Sequence, residues 1–167
     1  MAVTIDGSGP ITGLTSITAP TTLNGLTIPT TGFGKVLQVV RATDTTLRSV
    51  SGATLVDVGF SITITPTSDT SNVLIIWQAV VGTNGFTVDT YFTIADSSNN
   101  PISGAESVSQ YLTSINAYLP ITVMAWASPA TTSAVTYKLR WQEYGGGEGR
   151  IQNNTNTGQL FAIEVGA

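Results

Sequence analysis

The 167-residue chain contains no cysteine and no histidine. The absence of cysteine excludes disulfides, thiolate metal sites and cysteine nucleophiles, and it leaves the redox compartment undetermined. The absence of histidine removes the usual general base near neutral pH and the commonest zinc ligand. Because acidic side chains are also sparse, with 10 in the chain, we expect a protein that is not an enzyme and that uses no metal or cofactor.

Charge is scarce as well. Only 10% of the residues are charged, against roughly 25% in typical soluble domains. The net charge is −4, and the six basic residues are scattered along the chain, so the clustered cations that bind nucleic acid are missing. A low charge density with 41% hydrophobic residues indicates that much of the surface is covered in the working state, most simply by copies of the same chain.

Long hydrophobic runs are missing too. The most apolar run, Val73–Val81, has half the ~20 residues that a membrane-spanning helix needs. The N-terminus also lacks the basic region and the continuous apolar stretch of a signal peptide. We therefore expect no signal peptide and no membrane insertion.

The first 34 residues carry one charged side chain, Asp6, and nine threonines. This tract cannot build a core of its own, yet it is too apolar for an ordinary solvated linker. Threonine favours extended chain, and Pro20 and Pro29 block both helix and central-strand pairing. We predict that residues 1–34 form an extended anchoring arm that becomes ordered against a partner. Its predicted contacts are the apolar side chains of Ile5, Ile11, Leu14, Ile17, Leu23, Leu26, Ile28 and Phe33.

From residue 35 onward the pattern is one of short strands separated by turn residues. Val135–Tyr144 alternates apolar and polar residues, which is typical of a half-buried antiparallel strand. Asn72–Val81 is apolar on both faces, so we expect the core to cover one face and a second body, such as a neighbouring subunit, to cover the other. Further strands are predicted at Lys35–Arg41, Leu55–Val58, Phe60–Thr65, Thr90–Ala95, Ile121–Ala127 and Gln159–Val165.

Strands at this spacing predict an all-β fold, an antiparallel β-sandwich that is jelly-roll-like and spans residues 35–167. We expect this sandwich to be the oligomerisation domain. One stretch differs, because Val108, Tyr111, Leu112 and Ile115 have the i, i+3, i+4, i+7 spacing of an amphipathic helix. Glu106–Ile115 is therefore a candidate short helix, with a loop or an edge strand as the alternative.

Glycine dominates the segment Gly145–Gly149. A phosphate-binding loop would need a helix directly after it, and no helical pattern follows, so a hairpin tip between two strands is the favoured interpretation. Glu143 and Glu148 flank the tip, and a carboxylate pair is the machinery of glycoside hydrolysis. Since Arg140 and Arg150 lie beside them in sequence, simple charge balance is the favoured alternative.

Two other patterns have both a structural and a functional interpretation. Asp96–Asn100 offers oxygen ligands of the kind that calcium takes, but its single carboxylate favours a turn before Pro101. The aromatic residues suggest a carbohydrate-binding face, but those inside strand patterns are more typical of a core or an interface: Trp77, Trp126, Trp141, Tyr91 and Tyr137. Three that lie closer to loops remain candidates for surface contact: Tyr111, Tyr118 and Tyr144.

The sequence also resembles a known family. The N-terminal tract Gly13–Gly32, followed by Gly34–Val40, is similar to the start of small structural proteins of tailed bacteriophages, especially marine ones. Ser61–Ser68, Ser71–Ile75 and Ser128–Leu139 continue the resemblance, and Leu160–Val165 resembles the usual final strand.

This resemblance implies a virion location and a virion structural protein of the fibre or capsid-decoration type. It further implies a trimer with a jelly-roll head and partners on the capsid or tail, and it supplies no catalytic motif. The alternative is a host-receptor or glycan-binding tail-fibre adhesin module, in which the loop tips at 145–149 and 153–158 touch a surface glycan of the host.

Overall fold

The computed structural model describes residues 22–23, 26–27, 35–85, 88–105, 108–112 and 117–166. The chain divides into two units, Met1–Phe33 and Gly34–Ala167. In the first unit, strand β1 (Thr22–Leu23) pairs antiparallel with strand β2 (Leu26–Thr27), so that Leu23 lies opposite Leu26. The other predicted arm contacts lie outside the described residues: Ile5, Ile11, Leu14, Ile17, Ile28 and Phe33.

The second unit is built from β-strands, and the described residues contain no helix. The strands are β3 (Val36–Asp44), β4 (Leu47–Val50), β5 (Val56–Ile64), β6 (Asn72–Asn84), β7 (Val88–Asp96), β8 (Val108–Leu112), β9 (Tyr118–Ala127), β10 (Val135–Tyr144), β11 (Glu148–Gln152) and β12 (Gly158–Val165). The strand predicted at residues 135–144 has these bounds in the structure, as β10. Each of the other predicted strands lies within one of these elements or extends one residue beyond its end.

The strands form two antiparallel sheets. The small sheet has the order β5-β10-β7-β8. In the large sheet β3, β12, β6 and β9 lie side by side. β11 pairs with the C-terminal end of β6, and β4 pairs with β11. Without β4 and β11, the eight remaining strands have the chain order 1-8-3-6 in the large sheet and 2-7-4-5 in the small one. Successive strands thus mostly alternate between the sheets, as in a double-sheet jelly roll. The predicted all-β, jelly-roll-like sandwich is confirmed.

The core lies between the two sheets because alternate residues of each strand point inward. Its centre is aromatic: Trp77 of the large sheet meets Phe92 of the small sheet with ring centroids 5.0 Å apart, and Phe92 is 6.2 Å from Trp141. Trp77 and Phe92 are fully buried. Burial of one large apolar side chain contributes about 1.5–3 kcal/mol, so these rings anchor the two sheets to each other.

The predicted helix at Glu106–Ile115 is wrong. Its central residues form β8, which pairs with β7 at the edge of the small sheet and places Val108 opposite Phe92. The edge-strand alternative is confirmed. The helical spacing misled because β8 is short, and pairing with an available neighbour satisfies its backbone groups better than a single isolated helical turn.

The glycine segment is not a hairpin tip, because its flanking strands belong to different sheets. β10 lies in the small sheet and β11 in the large one, so residues 145–147 cross from one sheet to the other. Gly146 has a φ of +80°, which favours glycine. A Cβ atom on Gly147 would lie 2.3 Å from Val88 Cγ2, so the crossing needs a residue without a side chain.

A buried carboxylate links strands and a loop by hydrogen bonds at one edge of the sandwich. Glu164 is fully buried and accepts hydrogen bonds from Gln38 Nε2 at 2.6 Å, Thr67 N at 2.7 Å and Thr67 Oγ1 at 2.8 Å. Burial opposes its ionisation, but these hydrogen bonds outweigh burial and lower the pKa of Glu164 to about 2. The carboxylate thereby joins β3, β12 and the loop after β5.

Candidate interaction surface

The outer side of the large sheet carries two rows of apolar side chains. Strand register places Val39, Ile163, Leu74 and Trp126 in one row across β3, β12, β6 and β9. The next row holds Arg41, Phe161, Ile76 and Met124. We call these eight residues the apolar face. It arises because β6, β9 and β12 have apolar residues at both alternating sets of positions, which leaves the second set outside the core.

The apolar face is open in the single chain. Val39 is 57% exposed, Met124 56% and Trp126 46%, while Leu74, Ile76, Phe161 and Ile163 are partly exposed. Four strands about 4.8 Å apart, with two rows of outward residues about 7 Å apart along each strand, cover roughly 270 Å² in projection. This is about a third of the about 800 Å² that each partner buries in a stable interface, so the apolar face has the size of the apolar centre of such an interface.

The single charge in these two rows lies flat along the sheet. The Arg41 guanidinium is 5.9 Å from the centroid of the Phe161 ring, and Arg41 Nε donates a hydrogen bond to Gln159 Oε1 at 3.0 Å. A cation over an aromatic ring contributes about 0.5–1 kcal/mol at an exposed site. Arg41 therefore covers the ring instead of repelling an apolar partner.

A polar row borders the apolar face. The register places Thr43, Gln159, Gln78 and Thr122 side by side, next to the row that contains Ile76. An apolar centre with a polar, uncharged border is typical of the buried part of a protein–protein interface. The arrangement suits contact with another protein surface better than contact with a charged polymer.

The outer side of the small sheet is different, because its polar groups bind one another. Asp57 accepts hydrogen bonds from Lys138 Nζ at 3.1 Å and from Arg140 Nε at 2.9 Å. Thr63 and Thr136 share a hydrogen bond of 2.8 Å between their hydroxyl oxygens. These polar groups are therefore satisfied within the single chain.

The aromatic residues separate into two groups. Trp77, Trp141 and Tyr137 are buried in the core, one of the two places predicted for them. Trp126 lies instead on the apolar face, and Tyr118 and Tyr144 are each 43% exposed. The rings of Tyr91 and Tyr144 meet edge to face with centroids 5.1 Å apart, and the Tyr111 side chain lies outside the described set.

The two carboxylates of the candidate hydrolytic pair have structural partners. Glu143 is 1% exposed, and its oxygens accept hydrogen bonds from Gly52 N and Gly147 N, each at 3.2 Å. Glu148 pairs with Arg150 Nη2 at 2.6 Å and accepts from Asn84 Nδ2 at 3.2 Å. Glu143 thus fixes two loops and Glu148 is balanced by its arginine, as the charge-balance alternative predicted for Glu148.

The segment Asp96–Asn100 forms a turn, as the favoured interpretation predicted. Asp96 Oδ1 accepts hydrogen bonds from Ser98 N at 2.8 Å and Asn100 N at 2.9 Å. Among the described residues, no group of three or more acidic side chains is placed to hold a metal ion. Within the same ranges, no helix is long and apolar enough to cross a membrane.

Comparison with known proteins gives matches at the level of structure alone. No protein-family model and no curated protein sequence matches the chain. A structure of infectious bursal disease virus, Gx strain, matches 79% of this chain at 10% identity, with a TM-score of 0.42. The enzymatically active domain of tailspike protein 4 of bacteriophage CBA120 matches 78% of it at 11% identity, with a TM-score of 0.27. The chain spans 33% of the first of these and 20% of the second, and at such values the function has to be argued from the chain's own surface.

Proposed function

We propose that this chain is a virion structural protein of the fibre or capsid-decoration type, and that it works without catalysing a reaction. In this proposal the sandwich associates as a trimer through the apolar face, and the arm at residues 1–34 attaches the trimer to the capsid or tail. The observation that carries the proposal is the apolar face itself, because it exposes Val39, Met124 and Trp126 within two adjacent rows of apolar side chains.

A second copy of the same chain is the occupant that fits the apolar face best. The face holds no carboxylate and a single cation, Arg41, which already lies over Phe161, so it offers no charge for a charged partner to match. Its projected area of about 270 Å² suits the apolar centre of a protein interface. In a cyclic trimer one part of the face on each copy contacts another part of the face on the next copy, and closure of the ring prevents further growth.

The arm supplies the attachment. Its uncharged, threonine-rich composition suits a segment that lies extended on a protein surface. Ordering it costs ~1–2 kcal/mol per residue in backbone entropy, so the contact with the partner has to be long. The apolar side chains named above then fill successive pockets on that partner.

The sequence resemblance to structural proteins of tailed bacteriophages supports the virion location and the trimer. The strand order supports the jelly-roll head, since jelly rolls serve as capsid and lectin domains. Fold alone does not determine function, so the weight rests on the apolar face and the arm.

Deletion of residues 1–34 tests the attachment. We expect the truncated protein to remain a folded oligomer, because the sandwich has its own core, and to be lost from purified particles. The matched control keeps the arm and carries Ser61→Glu on the outer side of the small sheet, and it should be incorporated normally. Normal incorporation of the truncated protein would contradict the proposed role of the arm.

A further inference from the structure

A cavity of about 550 Å³ lies at one end of the sandwich, away from the glycine crossing. It is lined by the end of β7, the segment at residues 101–103, the end of β9 and the start of β10. Pockets for small molecules usually have volumes of about 300–1,000 Å³ and a few convergent polar groups. The cavity has the size for a small ligand, so its chemistry depends on which groups line it.

Asp96 provides a fixed acceptor in the wall. Besides the two backbone N–H groups that bind Oδ1, Asn100 Nδ2 donates to Asp96 Oδ2 at 2.9 Å. The hydrogen bonds from Asn100 are the main reason why the pKa of Asp96 lies below its usual value. The carboxylate is thus ionised and held in one orientation, and Oδ2 keeps a lone pair for an external donor.

Tyr137 provides a donor in the same wall. The residue is 3% exposed and lines the cavity. Burial, with a smaller contribution from the negative charge of Asp96, raises the pKa of Tyr137 to about 12, so the hydroxyl keeps its proton at neutral pH.

The rest of the lining is hydroxylic and aromatic. Ser97 and Ser103 line the cavity, as do Ser128 and Thr136, whose hydroxyls are already hydrogen-bonded to Asn72 and Thr63. Trp126 is a lining residue too, although its register also places it on the apolar face. None of the described lining residues is a lysine or an arginine, which disfavours phosphate or another anion. A single carboxylate is also too few for a dedicated calcium site.

A carboxylate acceptor, a phenol donor and serine hydroxyls match the adjacent hydroxyls of a sugar. We propose that this cavity binds a neutral saccharide, with Asp96 and Tyr137 on its hydroxyls. This inference goes beyond the structural role proposed above, and it places saccharide contact in this cavity instead of at the predicted tips at residues 145–149 and 153–158.

The test is saturation-transfer NMR on the full chain with the methyl glycosides of glucose, galactose, mannose and N-acetylglucosamine. We expect transfer to at least one of them. Tyr137→Phe removes only the hydroxyl and should weaken that binding about three- to tenfold, the effect of one lost hydrogen bond. Tyr118→Phe, at the opposite end of β9, is the matched control and should bind like the unaltered chain.

A second variant keeps the proposal testable if Tyr137→Phe fails to fold. Ser97 is exposed at the cavity, so Ser97→Trp should fill the cavity without disturbing the core and should abolish transfer. Trp126 is left unchanged because it also belongs to the apolar face. No transfer to any of the four glycosides, or transfer unchanged in both variants, would overturn the proposal. Sedimentation of the same variants should match the unaltered chain, so a failure here is distinguishable from a failure of self-association.

Discussion

The two outer sides of the sandwich expose different kinds of side chain to solvent. On the small sheet, Asp57 holds Lys138 and Arg140, and two threonine hydroxyls bind each other. On the large sheet, Val39 and Met124 are more than half exposed and have no polar compensation. The first side is complete in a single chain, whereas the second is suited to a partner. Within the sandwich, the charged side chains Asp57, Lys138 and Arg140 thus lie on the outer side of the small sheet, whereas the apolar face of the large sheet carries Arg41 as its single charge.

The largest effect should distinguish the inside of the large sheet from its outside. Trp77→Ala removes a fully buried ring and is expected to lower the free energy of unfolding by about 3–5 kcal/mol. Trp126→Ala, the same change on the apolar face, should lower it by about 0.5 kcal/mol or less in the dissociated chain. Urea unfolding of the two variants at low protein concentration measures both values. Equal losses would show that the apolar face is part of the monomer's own core.

Acid should weaken the fold through Glu164. Its pKa falls from the ordinary 4.5 to about 2 on folding, so its ionised form stabilises the protein above about pH 4.5, and this contribution disappears as the pH falls towards 2. Glu164→Gln should be less stable at pH 7 and should show a smaller loss of stability between about pH 5 and pH 2. Urea unfolding as a function of pH measures this, with the exposed Asp69→Asn as the control. An unchanged pH profile would contradict the role given to Glu164.

The smallest effect is expected on the outer side of the small sheet. Asp57→Asn breaks both ion pairs of that side, but Asp57 is 49% exposed, and exposed pairs contribute about 0–1 kcal/mol. We therefore expect a change in the free energy of unfolding of less than about 1 kcal/mol and no change in oligomeric state. Loss of the oligomer in this variant would show that the chains associate through the small sheet and not through the apolar face.

Local pattern predicted much of the fold. The alternation of apolar and polar residues in Val135–Tyr144 predicts both the strand and the residues that point into the core, because one face of a half-buried strand contacts the core and the other contacts water. β4 and β11 were missed, since Leu47–Val50 and Glu148–Gln152 are short, and β11 emerges from a glycine tract. β1 and β2 were missed as well, although Asn24-Gly25 between them in the sequence is a common hairpin signal.

The candidate surface was only half visible in the sequence. The doubly apolar run Asn72–Val81 predicted a second covered face, and that prediction stays open because the outer side chains of β6 are partly exposed in the single chain. The contributions of Val39, Phe161 and Met124 depend on cross-strand register, which pairs Val39 with Ile163, Phe161 with Arg41 and Met124 with Ile76, residues far apart in the sequence. The cavity depends on the same long-range pairing, which places Asp96 opposite Tyr137. The sequence therefore showed Asp96 as a turn residue and Tyr137 as a core or interface aromatic, but it did not bring the two together.

The apolar face is proposed to join copies of this chain. Analytical ultracentrifugation of the full chain measures this association, and we expect a particle of about 52 kDa, three times the 17.4 kDa of one chain. Met124→Lys, which places a charge at the β9 end of the face, should sediment as the monomer, whereas Ser61→Glu, at an exposed position on the small sheet, should leave the trimer intact. A monomeric unaltered chain, or a trimer that tolerates Met124→Lys, would contradict the account.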